Sequence, residues 1–208
     1  TAMAEGLTHP ERVVGIHVLN PVAVKPLLEL ARAKQSDDAT VATAFAIGKA
    51  LKKSCVLVQD APAFVVNRLL TRFLGEALRA LDDGADPKVV DHAFDSLGLP
   101  MTPLQLLDLV GPAVALHVAK TMHAAFPDRY AVSPTLEAMV SGGVTRAYES
   151  GKAAAPAFTE AFTTALGPRG VTAPADEIRL RACDALADEI KRMLDEQVVA
   201  EVQDIDLC

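Results

Sequence analysis

The sequence predicts a mainly α-helical chain with a small α/β part at its N-terminal side. Three observations point there. The clearest β-branched runs fall within the first 60 residues, and apolar residues after Asp60 recur at helical spacing. A composition rich in Ala, with 4% aromatic residues and no Trp, suits closely packed helices better than a β sandwich. At 208 residues and 50% hydrophobic content, the chain can bury a substantial core.

In chain order, Arg12 to His17 (RVVGIH) and Cys55 to Val58 (CVLV) read as short buried parallel strands, with Val24 to Leu30 a candidate third. Between them Ser36, Asp37 and Asp38 offer caps for a helix. Its apolar positions Val41, Ala44, Phe45, Gly48 and Leu51 keep helical spacing, and Lys52 and Lys53 suit its negative C-terminal end. This strand, helix, strand rhythm is that of an α/β domain caught at its end, residues 1–60.

Past Asp60 the pattern is helical. Pro62 can occupy a first turn, and Val66, Leu69, Phe73, Ala77 and Leu81 mark one face of a long helix that stops at Gly84. Asp86-Pro87, Thr102-Pro103 and Ser133-Pro134 each set a capping residue before a Pro at the first helical position. Gly98 and Gly142 are C-terminal stops, while Ala153 to Ala157 and Gly167 to Pro174 read as connectors. Arg68, Glu76, Leu81 and Asp82 recur at one constant offset of 113 residues as Arg181, Glu189, Leu194 and Asp195. The echo implies two copies of a helical unit, whose helices are expected to pack about a pseudo-twofold axis and bury Phe73, Leu81, Leu186 and Leu194.

Charge and cysteine usage narrow the function classes. A net charge of −7 without a basic stripe excludes sequence-independent nucleic-acid binding. Cys55, Cys183 and Cys208 are an odd, widely spaced set without CxxC pairing, so neither a disulfide framework nor a zinc site is expected. No His/Asp/Glu group has metal spacing, and no metal is expected. No apolar run approaches the ~18 residues of a membrane span, so the expectation is a soluble, cytoplasmic protein. The chain begins at Thr1 and ends in DIDLC, which reads as a piece of a longer protein cut at both ends.

Chemistry concentrates in GIHVLNPVAVKPLLEL, Gly15 to Leu30. A buried imidazole needs partners for its ring nitrogens, and His17 and Glu29 are the ionisable pair that could satisfy one another. Taken alone, His17 also reads as a satisfied structural histidine. His9, His92, His117 and His123 suit surface or interface roles.

HPERVVGIHVLNPV followed by LLEL, then DAPAFVVNRLL, then GLPMTPLQLLDLVG, resembles the C-terminal two-thirds of the L-3-hydroxyacyl-CoA dehydrogenases. The final DEQVVAEVQDIDLC resembles the multifunctional fatty-acid β-oxidation enzymes of the alpha-subunit type, in which this dehydrogenase lies behind an enoyl-CoA hydratase and carries a duplicated C-terminal domain. The resemblance implies the end of a Rossmann-type NAD-binding domain in residues 1–60 and a first all-helical copy in 61–165. A second copy would start at 166–208, truncated. It also implies NAD-dependent oxidation of L-3-hydroxyacyl-CoA to 3-oxoacyl-CoA, with an acyl-CoA substrate. The implied partners are further copies of the chain or the thiolase subunit of a β-oxidation complex.

Residue by residue, His17 matches the family's catalytic base and Glu29 the carboxylate that orients it. Asn67 matches the residue that helps hold the substrate oxygen. Asn20 falls where the resemblance places the nicotinamide end of the cofactor pocket, and reads equally as an Asn stabilising the turn before Pro21. Several positions depart from the family pattern. Val18 and Leu19 stand where two aromatics are usual, so the pocket wall is expected to be reshaped. Ala63 replaces a Gly, which tells against a positive φ there, and Thr102 replaces a Gly that a helix cap would explain. Lys25 is displaced by one position from the usual lysine, with Pro26 in its place, and takes no role. Nothing matches GxGxxG after a strand. Most of the NAD site is therefore expected outside this chain, and the segment alone is expected to be inactive. A second reading makes it a helical dimerisation or subunit-docking module with a vestigial catalytic edge.

Overall fold

The computed structural model describes residues 2–149, 157–167, 170 and 174–208. The connectors expected at Ala153–Ala157 and Gly167–Pro174 lie mostly outside these residues. The chain forms two compact units, Thr1–Arg68 with Glu189–Cys208, and Leu69–Asp188.

The first unit is built on a three-stranded sheet, β1 (Val14–Val18), β2 (Leu27–Arg32) and β3 (Ser54–Gln59), in spatial order β1-β2-β3. The sequence expectation of buried parallel strands holds for β2 and β3 alone. β1 runs antiparallel to β2 and is only partly buried. Its connection to β2 spans residues 19–26, too short for the crossover of a dozen or more residues that a parallel neighbour demands. Helix α1 (Asp38–Ala50) starts at Asp37, whose carboxylate accepts from the Thr40 amide at 2.7 Å. Ser36 is not the cap: its hydroxyl donates to Val13 O and accepts from Ala33 N, tying the end of β2 to the start of β1.

Val41, Ala44 and Gly48 are the buried face of α1, and Leu28, Leu30 and Ala44 form a small core beneath it. Phe45 and Leu51, expected on that face, are exposed. Gly48 permits the close approach of helix to sheet, because a Cβ there would stand 2.2 Å from Cys55 Sγ. Lys53, expected to settle the C-terminal end of α1, instead donates to Val22 O at 2.5 Å and Lys25 O at 2.6 Å, fastening the β1–β2 connection.

Helix α2 (Val66–Asp82) leads out of the first unit. Pro62 is not in its first turn: it precedes Val66 by four residues, in a turn where Ala63 and Phe64 both take positive φ, +61° and +50°. The expectation that Ala63 avoids a positive φ is overturned. What holds it there is tertiary, as the candidate site shows.

The second unit continues through α3 (Pro87–His92), α4 (Pro103–Val110), α5 (Pro112–Ala125), α6 (Pro134–Ser141), α7 (Glu160–Leu166) and most of α8 (Ala175–Asp195). The three cap-Pro signals all mark helix starts. Asp86 accepts from Lys88 N, Thr102 forms a reciprocal capping box with Gln105, and Ser133 accepts from Leu136 N. Gly98 ends a short 3-10 turn in the left-handed region, and Gly142 closes α6. Leu81, Val90, Leu104, Met139, Phe162 and Ile178, from six helices, meet in one core.

Three carboxylates fasten these helices, Asp91 and Asp108 with buried side chains and Asp82 from an exposed position. Asp82 accepts from Ser133 Oγ and Thr135 N, and Asp108 from Ala147 N and Tyr148 N. Asp91 accepts from Leu104 N, Thr102 Oγ1 and the Tyr148 hydroxyl. Burial pushes the Asp91 carboxyl above its ordinary range against the pull of those bonds. A last helix, α9 (Val202–Asp206), belongs to the first unit. No helix among the described residues is long and apolar enough to cross a membrane.

Candidate active site

His17 and Glu29 occupy directly opposed positions of the antiparallel β1–β2 ladder, so their side chains leave the sheet on the same face. The spacing that looked distant in sequence is a cross-strand pair. His17 Nδ1 lies 2.6 Å from Glu29 Oε2. The imidazole is 26% exposed and the carboxylate 0%, so the ring stands between solvent and a buried anion.

The other oxygen of Glu29 is also in use. Oε1 accepts from the Val65 amide at 2.9 Å and the Val66 amide at 3.2 Å, at the entry to α2. Those N–H groups have no intrahelical partner, and they carry the positive end of the helix dipole. A carboxylate only accepts, so in the short contact Nδ1–H donates to Glu29, which leaves Nε2 with its lone pair. The Phe64 ring lies against the imidazole, centroids 5.6 Å apart. Phe64 thus supplies an aromatic contact to His17, where Val18 and Leu19 supply none.

Asn67 is the second residue of α2, directly after Val66. Asn20 follows β1 and precedes Pro21 across a cis peptide bond. The structure brings together His17 and Glu29 of the residues named from sequence, and adds the Val65 and Val66 amides, backbone groups that no residue type advertises. Phe64 was detectable as the aromatic of DAPAF. Three of the remaining histidines have local partners: Glu11 for His9, Asp95 for His92 and the Tyr130 carbonyl for His123. The Cys208 thiol is pushed up to about 12, by burial first and then by the charges of Glu29 and Asp204, so the end of the first unit lies within the field of the buried carboxylate. Among the described residues no three His, Cys, Asp or Glu groups are placed to hold a metal ion.

A dinucleotide needs a helix N-terminus free to face its pyrophosphate. Neither strand-to-helix passage here fits. α1 opens with Asp37 and Asp38, whose charges repel phosphate, and the amides at the entry to α2 are given to Glu29.

Comparisons with known proteins give the family to which these residues are similar. Residues 1–61 match the family described as 3-hydroxyacyl-CoA dehydrogenase, NAD binding domain, and residues 64–153 match 3-hydroxyacyl-CoA dehydrogenase, C-terminal domain. The fatty acid oxidation complex subunit alpha of Psychrobacter arcticus is 31% identical over 209 aligned residues, covering 100% of this chain and 28% of that protein. The subunit of the same description from Acinetobacter baylyi is 39% identical over 129 residues, 62% of this chain and 18% of that one. The chain therefore spans less than a third of the length of these curated relatives. Among solved structures, 3-hydroxybutyryl-CoA dehydrogenase from Escherichia coli superposes with a TM-score of 0.80 over 99% of this chain and 62% of that chain. At 22% identity that likeness establishes the fold.

Proposed function

The chain belongs to the 3-hydroxyacyl-CoA dehydrogenase family, and from that membership we propose that it supplies the general base for NAD-dependent oxidation of an L-3-hydroxyacyl-CoA to the 3-oxoacyl-CoA. The observation that carries this reading is the His17–Glu29 contact with both carboxylate oxygens engaged. His17 Nε2 takes the proton of the 3-hydroxyl, and the imidazolium that forms is stabilised by Glu29 across the Nδ1 bond. Asn67, at the start of α2, holds the substrate oxygen near that nitrogen. Asn20, beside His17 in the chain, flanks the nicotinamide. NAD, when bound, accepts the hydride from the carbon that bears the hydroxyl. Its phosphates are held by residues outside this segment, so the segment alone is inactive. The longer protein works in fatty-acid β-oxidation, in the cytoplasm, with an acyl-CoA as substrate and a thiolase subunit or further copies of itself as partner.

The duplication belongs to the same proposal, with residues 61–165 as the first helical copy and 166–208 as the opening of a second. Its support is an exchange of ion pairs between α2 and α8. Arg68 pairs with Glu189, and Arg181 pairs with Glu76 at 2.8 Å. Each arginine thus meets the glutamate of the other copy, as two antiparallel helices related by a twofold axis would arrange. Of the residues expected to be buried between the copies, Leu81 is fully buried, and Phe73, Leu186 and Leu194 are partly so.

The test joins the residues that precede the matched region in the Psychrobacter arcticus subunit to Thr1, and follows NADH formation with 3-hydroxybutyryl-CoA. The 208-residue chain alone is expected to show no turnover and the chimera to show it. His17→Ala in the chimera is expected to lower kcat by about 10²- to 10⁴-fold. Equal turnover by the Ala form would overturn the assignment.

A further inference from the structure

Between β3 and α2 lies the turn that serves the site: it carries Phe64 onto the imidazole and points the Val65 and Val66 amides at Glu29. With Ala63 and Phe64 both at positive φ, this turn does not hold its shape by local preference. Something must restrain its two ends. At the β3 end, the Gln59 amide donates to Val198 O at 2.8 Å. At the α2 end, the Arg68 guanidinium donates from Nε to Glu189 and from Nη2 to Glu196 at 2.5 Å. Both anchors come from one stretch, residues 189–198. Arg68 and Glu189 are fully buried, and Val198 and Val199 are buried as well. Burial works against the Arg68 charge, and the bonds to Glu196 and Glu189 outweigh it, so the guanidinium holds its proton more tightly than a free arginine does.

We infer that residues 189–198 form a bracket that fixes the active-site turn, with Arg68 and Glu189 as positioning residues for the His17–Glu29 pair. The inference rests on the reading of His17 as the base. The bracket lies outside both stretches that match the dehydrogenase family, 1–61 and 64–153. It acts through a single mechanical path. Arg68 is pinned, so the first turn of α2 cannot unwind to relieve the strained residues before it. The Val65 and Val66 amides then stay on Oε1, and Oε2 stays aimed at Nδ1.

The 208-residue chain itself carries the test, without turnover. In Arg68→Leu/Glu189→Leu the buried ion pair gives way to apolar side chains, an exchange that commonly leaves stability near its starting point. Three signals are read: the urea midpoint, hydrogen exchange at the Val65 and Val66 amides, and the downfield proton resonance of His17 Nδ1–H. A folded double variant is expected to exchange those two amides at least tenfold faster and to lose the resonance, with the Leu136 amide of α6 unchanged as control. A folded variant that keeps both signals overturns the bracket. Should the double variant fail to fold, Glu196→Gln gives the same reading in a milder form, with exchange at Val65 and Val66 several-fold faster as support and unchanged exchange as refutation. In the active chimera, either variant is expected to lower kcat while KM stays within twofold. If His17→Ala leaves turnover intact while the exchange signals respond, the catalytic reading fails and the bracket stands.

Discussion

Glu29 answers to three donors at once, the His17 ring and the amides of Val65 and Val66. Glutamine has the same size but one acceptor oxygen and one NH2, so it cannot accept on both sides. In Glu29→Gln the oxygen is expected to stay on the two amides and the NH2 to face His17. The imidazole then answers by accepting at Nδ1, which moves its proton to Nε2. Nitrogen-15 NMR of the ring distinguishes the two tautomers, and the Nδ1–H form surviving in the variant would refute this account. With Nε2 protonated, the base is lost, and turnover in the active chimera is expected to fall by about 10²- to 10⁴-fold. At this scale the sequence was informative where side-chain chemistry decides. His17 and Glu29 stood out by residue type, and the family resemblance named their roles and that of Asn67. Ala63 could not be read correctly, because local preference argues against its φ of +61° while distant contacts impose it.

Among the elements, helix starts were the most legible. A capping side chain followed by Pro acts over a few residues, so Asp86, Thr102 and Ser133 marked α3, α4 and α6 without help from the rest of the fold. Strand direction was less legible, since an apolar β-branched run such as RVVGIH carries no sign of its partner's orientation. The eight-residue connection after Val18 held that information, in its length alone. Gly48 is a second case of hidden packing. In a helix, Ala is ordinarily favoured over Gly by about 1 kcal/mol. Here a Cβ would stand 2.2 Å from Cys55 Sγ and 3.1 Å from Leu28 Cδ2, pressing α1 off β2 and β3. Gly48→Ala is expected to destabilise the chain by about 1–3 kcal/mol, measured as a lower urea midpoint. Cys55→Ala in the same chain should recover most of the loss, and a Gly48→Ala midpoint at or above the starting value would show that the helix can shift freely.

Across the whole molecule, the packing partner of the last residues was the least legible feature. Sequence patterning divides it near residue 60, where strands give way to helices, and the connectors suggest a further break after 165. The compact units follow another line, with Glu189–Cys208 joined to Thr1–Arg68. Long-range pairs such as Arg68 with Glu189 decide this, and nothing in local periodicity signals which distant helix an arginine will meet.

The same arrangement sets an order of events. Arg68 and Glu189 are 121 residues apart, and closing so long a stretch as a free loop costs about 4 kcal/mol of chain entropy. Residues 69–188 hold a core of their own and can collapse first. On a ribosome, where the chain emerges from its N-terminus, the strands that bear His17 and Glu29 are made early but wait for residues 189–198 before the turn beside them is locked. Competence for proton transfer is therefore a late product of folding. In pulse-labelled refolding, the Leu107 and Met139 amides are expected to gain protection ahead of those of Val65 and Val66, and simultaneous protection would rule that order out. Under the proposed function, a partly made chain would thus display its base and carboxylate while lacking the geometry to use them, so that topology keeps unfinished molecules from that chemistry.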